Sequence, residues 1–203
     1  GERYEEFARR LKSLRLGRVV RCAERLGFGF ALKKALTYVR TPFVLVVQHD
    51  RNLTRPVDFE GIIRQMERHP WLKYVGLPTT TTLNYPRFVL SKYAIRIEAI
   101  RLTPDLAVVP LLQWYDSTHL CSSTHYRNFV YRGDLVKRGG FVEDKLGQHQ
   151  LADIRRNGLE AHAAYGTFVL DDGVDKPIVS HLDGHDVLAY RKFKFATDVH
   201  PRN

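Results

Sequence analysis

Cysteine is scarce: Cys22 and Cys121 are the only two, 99 positions apart and in no Cys-x-x-Cys or Cys/His pattern. That excludes a disulfide framework or a cysteine-based zinc site and leaves two small buried thiols as the default. No apolar run approaches the ~18–20 residues that cross a bilayer, and no charged start leads into the apolar block of a secretory signal. Internal repeats, low-complexity tracts and Gly/Ser linkers are missing as well. A chain of 203 residues with 44% apolar content is therefore expected to build a single domain over residues 1–203. It opens on Gly1 and its one methionine is Met66, so the expectation is a soluble segment of a longer cytoplasmic or Golgi protein.

Acidic residues are also in deficit, and unevenly. Residues 1–40 hold 11 Lys and Arg against 4 Asp and Glu, a balance of +7, whereas the remainder carries only +3. Such a front-loaded charge suits an anionic partner: nucleic acid, an acidic surface or a phosphorylated small molecule. A solvated helix face is the simpler account for residues 2–15.

What is present is periodicity. Tyr4, Phe7, Leu11 and Leu14 fall on one face of a helix, as do Leu32, Ala35, Leu36 and Val39 before Pro42, and Phe59, Ile62, Ile63 and Met66. Between them, residues 18–22, 43–47 and 73–77 read as strands, and the run Phe43–Val47 as one covered on both faces. Helix and strand alternate over 77 residues, which predicts a parallel sheet with helices packed on it. Further on, 79–86 reads as a turn or loop, 92–102 as strand or helix, and 106–116 as a strand. Leu146, Gln150, Leu151 and Ile154 mark a helix closed by Asn157–Gly158, and 166–173 a strand running into a turn.

Three stretches carry chemistry. The strand Phe43–Val47 stops on Gln48, His49 and Asp50. At the carboxyl edge of an open α/β sheet, a carboxylate such as Asp50 can hold a hard divalent cation that neutralises phosphate oxygens, or can cap the next turn. Next, Gly139 and Gly140 permit tight bends or close approach to a ligand, and Glu143 and Asp144 stand at a helix start, where negative charge is favoured. Adjacent side chains do not face one target, so one of the two acids would act as base. Finally, His181, Asp183, His185 and Asp186 cluster within six positions as possible metal ligands, the first three alternating onto one side of an extended segment. Asp171 and Asp172 read as a turn. Asp116 is balanced between structure and site, since Trp114 and Tyr115 beside it would suit a sugar or base face. His119, His125 and His149 have no defined partner and are expected to be packed or solvated.

Taken in order, these features resemble the GT-A nucleotide-sugar glycosyltransferases, and family-2-like members in particular, from about residue 18 to 186. The likeness implies a three-layer α/β/α domain with a mostly parallel central sheet whose first strand is missing from this segment. A nucleotide-sugar half would cover about 1–116 and an acceptor half about 117–203. The family's strand-end Asp-x-Asp falls on Gln48-His49-Asp50, its "GGF...ED" on Gly139-Gly140-Phe141 and Glu143-Asp144, and its late metal-binding histidine on His181. The resemblance thus implies Mn²⁺ or Mg²⁺ held by Asp50 and His181 against the diphosphate of a nucleoside-diphosphate sugar such as a UDP-sugar. Asp144 would be the base of an inverting transfer to a glycan, lipid or protein acceptor, with Glu143 in reserve. Gln48, His49, Gly139 and Gly140 would lie along the donor. Gln48 departs from the family's first Asp, and Lys33 stands where an Asn contacts nucleotide.

Two other readings compete. A metal-dependent phosphohydrolase would be built on the 181–186 cluster. A basic nucleic-acid-binding module fits the charge, but the aromatics are not interleaved with Lys and Arg as a base-stacking platform needs, so no nucleic-acid partner is expected.

Overall fold

The computed structural model describes residues 2–15 and 17–182. It begins with helix α1 (Glu2–Ser13), on the predicted periodicity, but Tyr4 and Phe7 of its apolar face are exposed, as is Leu14 just beyond its end. Residues 18–22 form no strand. Helix α2 (Phe28–Leu36) follows, and the guanidinium of Arg127 donates to its last carbonyl, Leu36 O, at 3.3 Å and to Val39 O just beyond it at 2.7 Å.

Strand β1 (Phe43–Val46) then leads to a short strand β2 (Arg51–Leu53). Helix α3 (Phe59–Arg68) is capped by Asp58, whose side chain accepts from Gly61 N at 2.8 Å, and buries Ile62 and Met66 as their spacing predicts. Strand β3 (Tyr74–Gly76) comes next. The stretch read as a loop at 79–86 runs into a helix, α4 (Tyr85–Tyr93), with Pro86 in its first turn. Strands β4 (Ile100–Thr103) and β5 (Leu106–Pro110) form a hairpin, so β5 ends well before residue 116.

Strand β6 (His119–Ser122) had no counterpart among the sequence expectations. After it come the single turn α5 (Ser123–His125) and a π-helical turn, Tyr126–Val130. A second π-helical turn, Glu143–Gly147, runs directly into helix α6 (Gln148–Asn157), which Gly158 ends at φ 87°. The short helix α7 (His162–Tyr165), strand β7 (Thr167–Asp171) and strand β8 (Val179–His181) complete the described chain.

Six strands make one sheet in the order β1-β6-β3-β7-β5-β4, and β2 pairs with β8 in a second. The α/β class stands, but the mostly parallel sheet does not: only β3 and β7 pair in parallel, and the other four pairings are antiparallel. The local chain explains this. The β4–β5 connection is too short for anything but a hairpin. Strand β6 inserts between β1 and β3, so these two run in the same direction without touching. With 18–22 out of the sheet, β1 is an edge strand, and Leu45 and Val47 stay exposed where a strand covered on both faces was expected.

Side-chain alternation distributes the core over both faces of the sheet. Tyr74, Val109, Cys121 and Val169 join the cluster with residues of α2, α4 and α6. Their chain neighbours Val75, Val108, Leu120, Phe168 and Leu170 join Ile62 and Met66 of α3 on the other side. Both faces are thereby dry, while the sheet's end edges remain open. Among the described residues, no helix is long and apolar enough to cross a membrane.

Candidate active site

Strands β1, β3 and β7 point the same way, and β6 runs against them. The carboxyl ends of β1 and β3 and the amino end of β6 therefore meet along one edge of the sheet. There they surround a cleft of about 350 Å³ lined by Gln48, Asp50, Arg51, Thr79, Thr81, Tyr115, Asp116, Ser117, Phe141, Glu143 and His181. The sequence argument that strand-end polar residues gather at such an edge is met by Gln48 and Asp50. His49, between them, is exposed and outside the lining.

Asp50 and His181 are 131 positions apart in the chain, yet their side chains meet, with Nε2 of His181 3.4 Å from Oδ2 of Asp50. The pairing of β2 with β8 brings them together: Arg51 lies opposite His181 in the register, and Leu182 N donates to Asp50 O at 2.9 Å. The second oxygen of Asp50, Oδ1, is buried and has no hydrogen-bond partner among the described residues. Such an atom is costly in a folded protein unless a cation or donor reaches it.

These two residues fit a small divalent cation. Cis ligands of an octahedral ion at ~2.1 Å stand about 3 Å apart, and Mg²⁺-type sites characteristically take one or two protein ligands, the rest being water and phosphate oxygens. Among the described residues, no group of three or more His, Cys, Asp or Glu is placed to hold a metal by itself. The candidate ligands Asp183, His185 and Asp186 lie outside the described residues.

Opposite this pair, the stretch 114–116 and the first turn of the α6 region are locked together. Asp116 N donates to Oε2 of Glu143 at 3.0 Å, Glu143 N donates to Oδ2 of Asp116 at 3.1 Å, and the indole of Trp114 donates to Oδ1 of Asp116 at 3.1 Å. Gly147 permits the approach: a Cβ there would stand 2.7 Å from the carbonyl oxygen of Trp114. Burial is the largest influence on Asp116 and pushes its carboxyl up to about 7, Glu143's charge adding to the rise and the hydrogen bonds opposing it. Burial also raises Glu143, with Asp144 adding to the effect and the Asp116 amide and Arg51 working against it. π-helical turns of this kind recur at functional sites, and this one presents Glu143 to the cleft.

Several expectations change here. Asp144, expected as the base, is exposed and outside the cleft lining, whereas its neighbour Glu143 lines it. Gly139 and Gly140 are not in the lining either. They serve a backbone contact: Gly139 N donates to Leu26 O at 2.8 Å, Gly29 N donates to Gly140 O at 3.2 Å, and a Cβ on Gly27 would stand 2.6 Å from Gly139 Cα. The pair thus fastens the start of α2 to the segment carrying Phe141, whose ring stacks on Phe28 at 5.7 Å. Lys33 is exposed on α2, its ammonium 5.4 Å from the Phe30 ring and 5.6 Å from the Tyr131 ring, away from the cleft.

Trp114 is fully buried and offers no sugar platform, but Tyr115 reaches the cleft. Asp171 and Asp172 do shape a turn, accepting from Gly173 N and Val174 N, and Asp172 also takes a two-pronged contact from Arg55. His119 is packed: Nδ1 donates to Ser117 O and Nε2 accepts from Tyr126 OH, each at 2.5 Å, between the rings of Tyr74 and Trp114.

The lining residues Arg51, Thr79, Thr81 and Ser117 had not been singled out. Arg51 follows Asp50 directly, so its position beside the strand end was the available signal. The threonines lay in a stretch read only as a loop. No protein-family model, curated protein or solved structure matches the chain.

Proposed function

We propose that the chain is a GT-A-like glycosyltransferase domain that uses a divalent cation and a nucleoside-diphosphate sugar. The observation that carries the reading is the meeting of Asp50 and His181 at a strand-end cleft that also holds Glu143. These three residues belong to three separate segments whose order along the chain is that of the family it resembles.

Asp50 and His181 would hold Mn²⁺ or Mg²⁺, which when bound supplies positive charge to the departing diphosphate. Arg51, lining the same cleft, adds a fixed positive charge beside it. Glu143 is the base. Partial burial raises its affinity for a proton above that of an ordinary glutamate, toward the neutral range where a general base is most effective. It would take the proton of an acceptor hydroxyl as that oxygen attacks the sugar, giving an inverting transfer. Tyr115 and Phe141 contribute aromatic surface suited to a sugar or nucleobase face.

Donor turnover tests the reading. Purified protein given UDP-sugars and other nucleoside-diphosphate sugars should release nucleoside diphosphate only with Mn²⁺ or Mg²⁺, and Asp50→Ala should abolish the release. Turnover unaffected by chelator, or retained in Asp50→Ala, would refute it.

A further inference from the structure

The cleft contains a second carboxyl that the transfer chemistry has not used. Asp116 is 3% exposed, and both its side-chain oxygens are occupied as acceptors, one from the Trp114 indole and one from the Glu143 amide. Its own amide is spent on Glu143 Oε2. The remaining carboxylate oxygen of Glu143, Oε1, makes no hydrogen bond to any described residue. We propose that Asp116 is the positioning residue of Glu143, holding one oxygen of its carboxylate and the first turn of its helix so that the other oxygen is left to the acceptor hydroxyl in the cleft. This rests on the transferase reading for the identity of that ligand, but the coupling of the two carboxyls does not.

The arrangement is directional. A glutamate side chain has three rotatable bonds, and an unrestrained Glu143 would lose orientation entropy on each encounter with acceptor. The Asp116 amide holds one carboxylate oxygen beforehand and the Glu143 amide, donating to Asp116, holds the main chain; the anchor is stiff, since Trp114 is fully buried and Gly147 lies against its carbonyl.

The pair is also linked in charge, because two carboxyls this close do not ionise independently. Burial raises both carboxyls, Asp116 to about 7, so Asp116 surrenders its proton near neutrality. The other ionisable groups facing the pair are Arg51 and Asp144 toward Glu143, and the Tyr74, Tyr126 and Tyr131 hydroxyls toward Asp116, with Tyr115 beside Glu143. Burial pushes all four tyrosines up, so none of them titrates near neutral pH. A second negative charge on Asp116 strengthens Glu143 as a base, so transfer should rise as pH passes 7.

Trp114 supplies a readout that needs no turnover, since its indole donates directly to Asp116. In a Trp71→Phe background Trp114 is the only tryptophan, and its fluorescence should titrate with a midpoint near 7. Asp116→Asn should erase that transition, and Glu143→Gln, which keeps Asp116 in place, should move it down by about one pH unit. In donor-turnover assays, Asp116→Asn should lower kcat about tenfold or more at pH 8, remove the rise through pH 7 and leave the donor KM within about twofold.

A Trp114 signal that ignores Glu143→Gln, or an unchanged pH profile in Asp116→Asn, overturns the proposal. A wild-type protein that turns over no donor, while Trp114 still senses Glu143→Gln, sinks the transferase reading and supports the coupling.

Discussion

The main-chain amides of Asp116 and Glu143 each donate to the other residue's carboxylate, at 3.0 and 3.1 Å, closing a ring between positions 27 apart in the chain. Both members of that ring line the cleft with Asp50 and His181, Glu143 as the proposed base and Asp116 almost fully buried. The proposed base is thus tied to the Asp116 segment by two hydrogen bonds from main-chain amides to side-chain carboxylates.

Gly147 should be intolerant of substitution. Its Cβ would meet the backbone oxygen of Trp114 at 2.7 Å, and neither the helix nor the buried Trp114 segment is free to give. Gly147→Ala is expected to cost about 1–3 kcal/mol, as overpacking does. Denaturant unfolding measures that cost, and the same variant should lose transfer activity as the Asp116–Glu143 ring opens. A fully stable, fully active Gly147→Ala would show that the close approach is unnecessary.

The two adjacent acids should separate cleanly. Glu143→Gln is expected to reduce transfer about 100-fold or more while binding nucleoside diphosphate normally, in keeping with loss of a general base. Asp144→Asn, altering an exposed residue outside the lining, should cost less than about threefold. Rates with saturating donor decide between them, and the reverse ranking would restore Asp144 as the base.

Gly139 tests whether the glycine pair serves ligand or backbone. Its φ of 83° lies in the left-handed region, so Gly139→Ala is expected to cost about 1–2 kcal/mol in strain. Because Gly139 is not in the cleft lining, donor binding to the folded variant should stay within about twofold. Calorimetric titration showing a large loss of donor affinity with unchanged stability would instead place the glycine at the ligand.

Acid should destabilise the fold through its buried histidines. Burial lowers His119 to about 4, with the Ser117 carbonyl opposing, so the folded protein holds it neutral while the unfolded chain takes a proton below the ordinary 6.5. Its contribution is complete above pH 6.5 and is lost as pH falls through 4, on the order of 3 kcal/mol. His125, lowered to about 4 by burial and by Lys73, acts in the same direction. Asp116 acts in the opposite one, since a raised carboxyl weakens the fold as pH climbs from 3.8 to 7. His119→Gln isolates the first effect: the melting-temperature gap between wild type and variant should narrow from pH 7.5 to pH 4.5. A constant gap would contradict it.

The sequence made the helices most legible, because α1, α2, α3 and α6 each repeat apolar residues at helical spacing. Even so, periodicity said nothing of what α1 packs on, and its apolar face is exposed. Strand pairing was hidden. Residues 18–22 have strand composition but no ladder, and His119–Ser122 has a ladder on both sides without a long apolar run to announce it. Antiparallel neighbours are chosen by contacts between distant segments, which local spacing does not encode.

Within the site, Asp50 and His181 were paired by the family resemblance, and their contact depends on the β2–β8 pairing of distant segments, which local spacing does not encode. Asp116 was balanced evenly, since its role depends on a partner 27 residues away and on burial that its aromatic neighbours only hinted at. The glycine pair was read as permitting a tight bend or close approach to a ligand; Gly139 takes φ 83°, and the pair hydrogen-bonds the backbone of Leu26 and Gly29, an approach that Gly27 leaves room for.

The most direct measurement is the anomalous difference map of a crystal soaked with Mn²⁺ and a nucleoside diphosphate, collected above the manganese edge. The account predicts a peak bonded to Asp50 and His181, with diphosphate oxygens on its open side and Glu143 across the cleft. A nucleoside diphosphate bound in the cleft with no manganese at Asp50, or a manganese peak away from both residues, would contradict it.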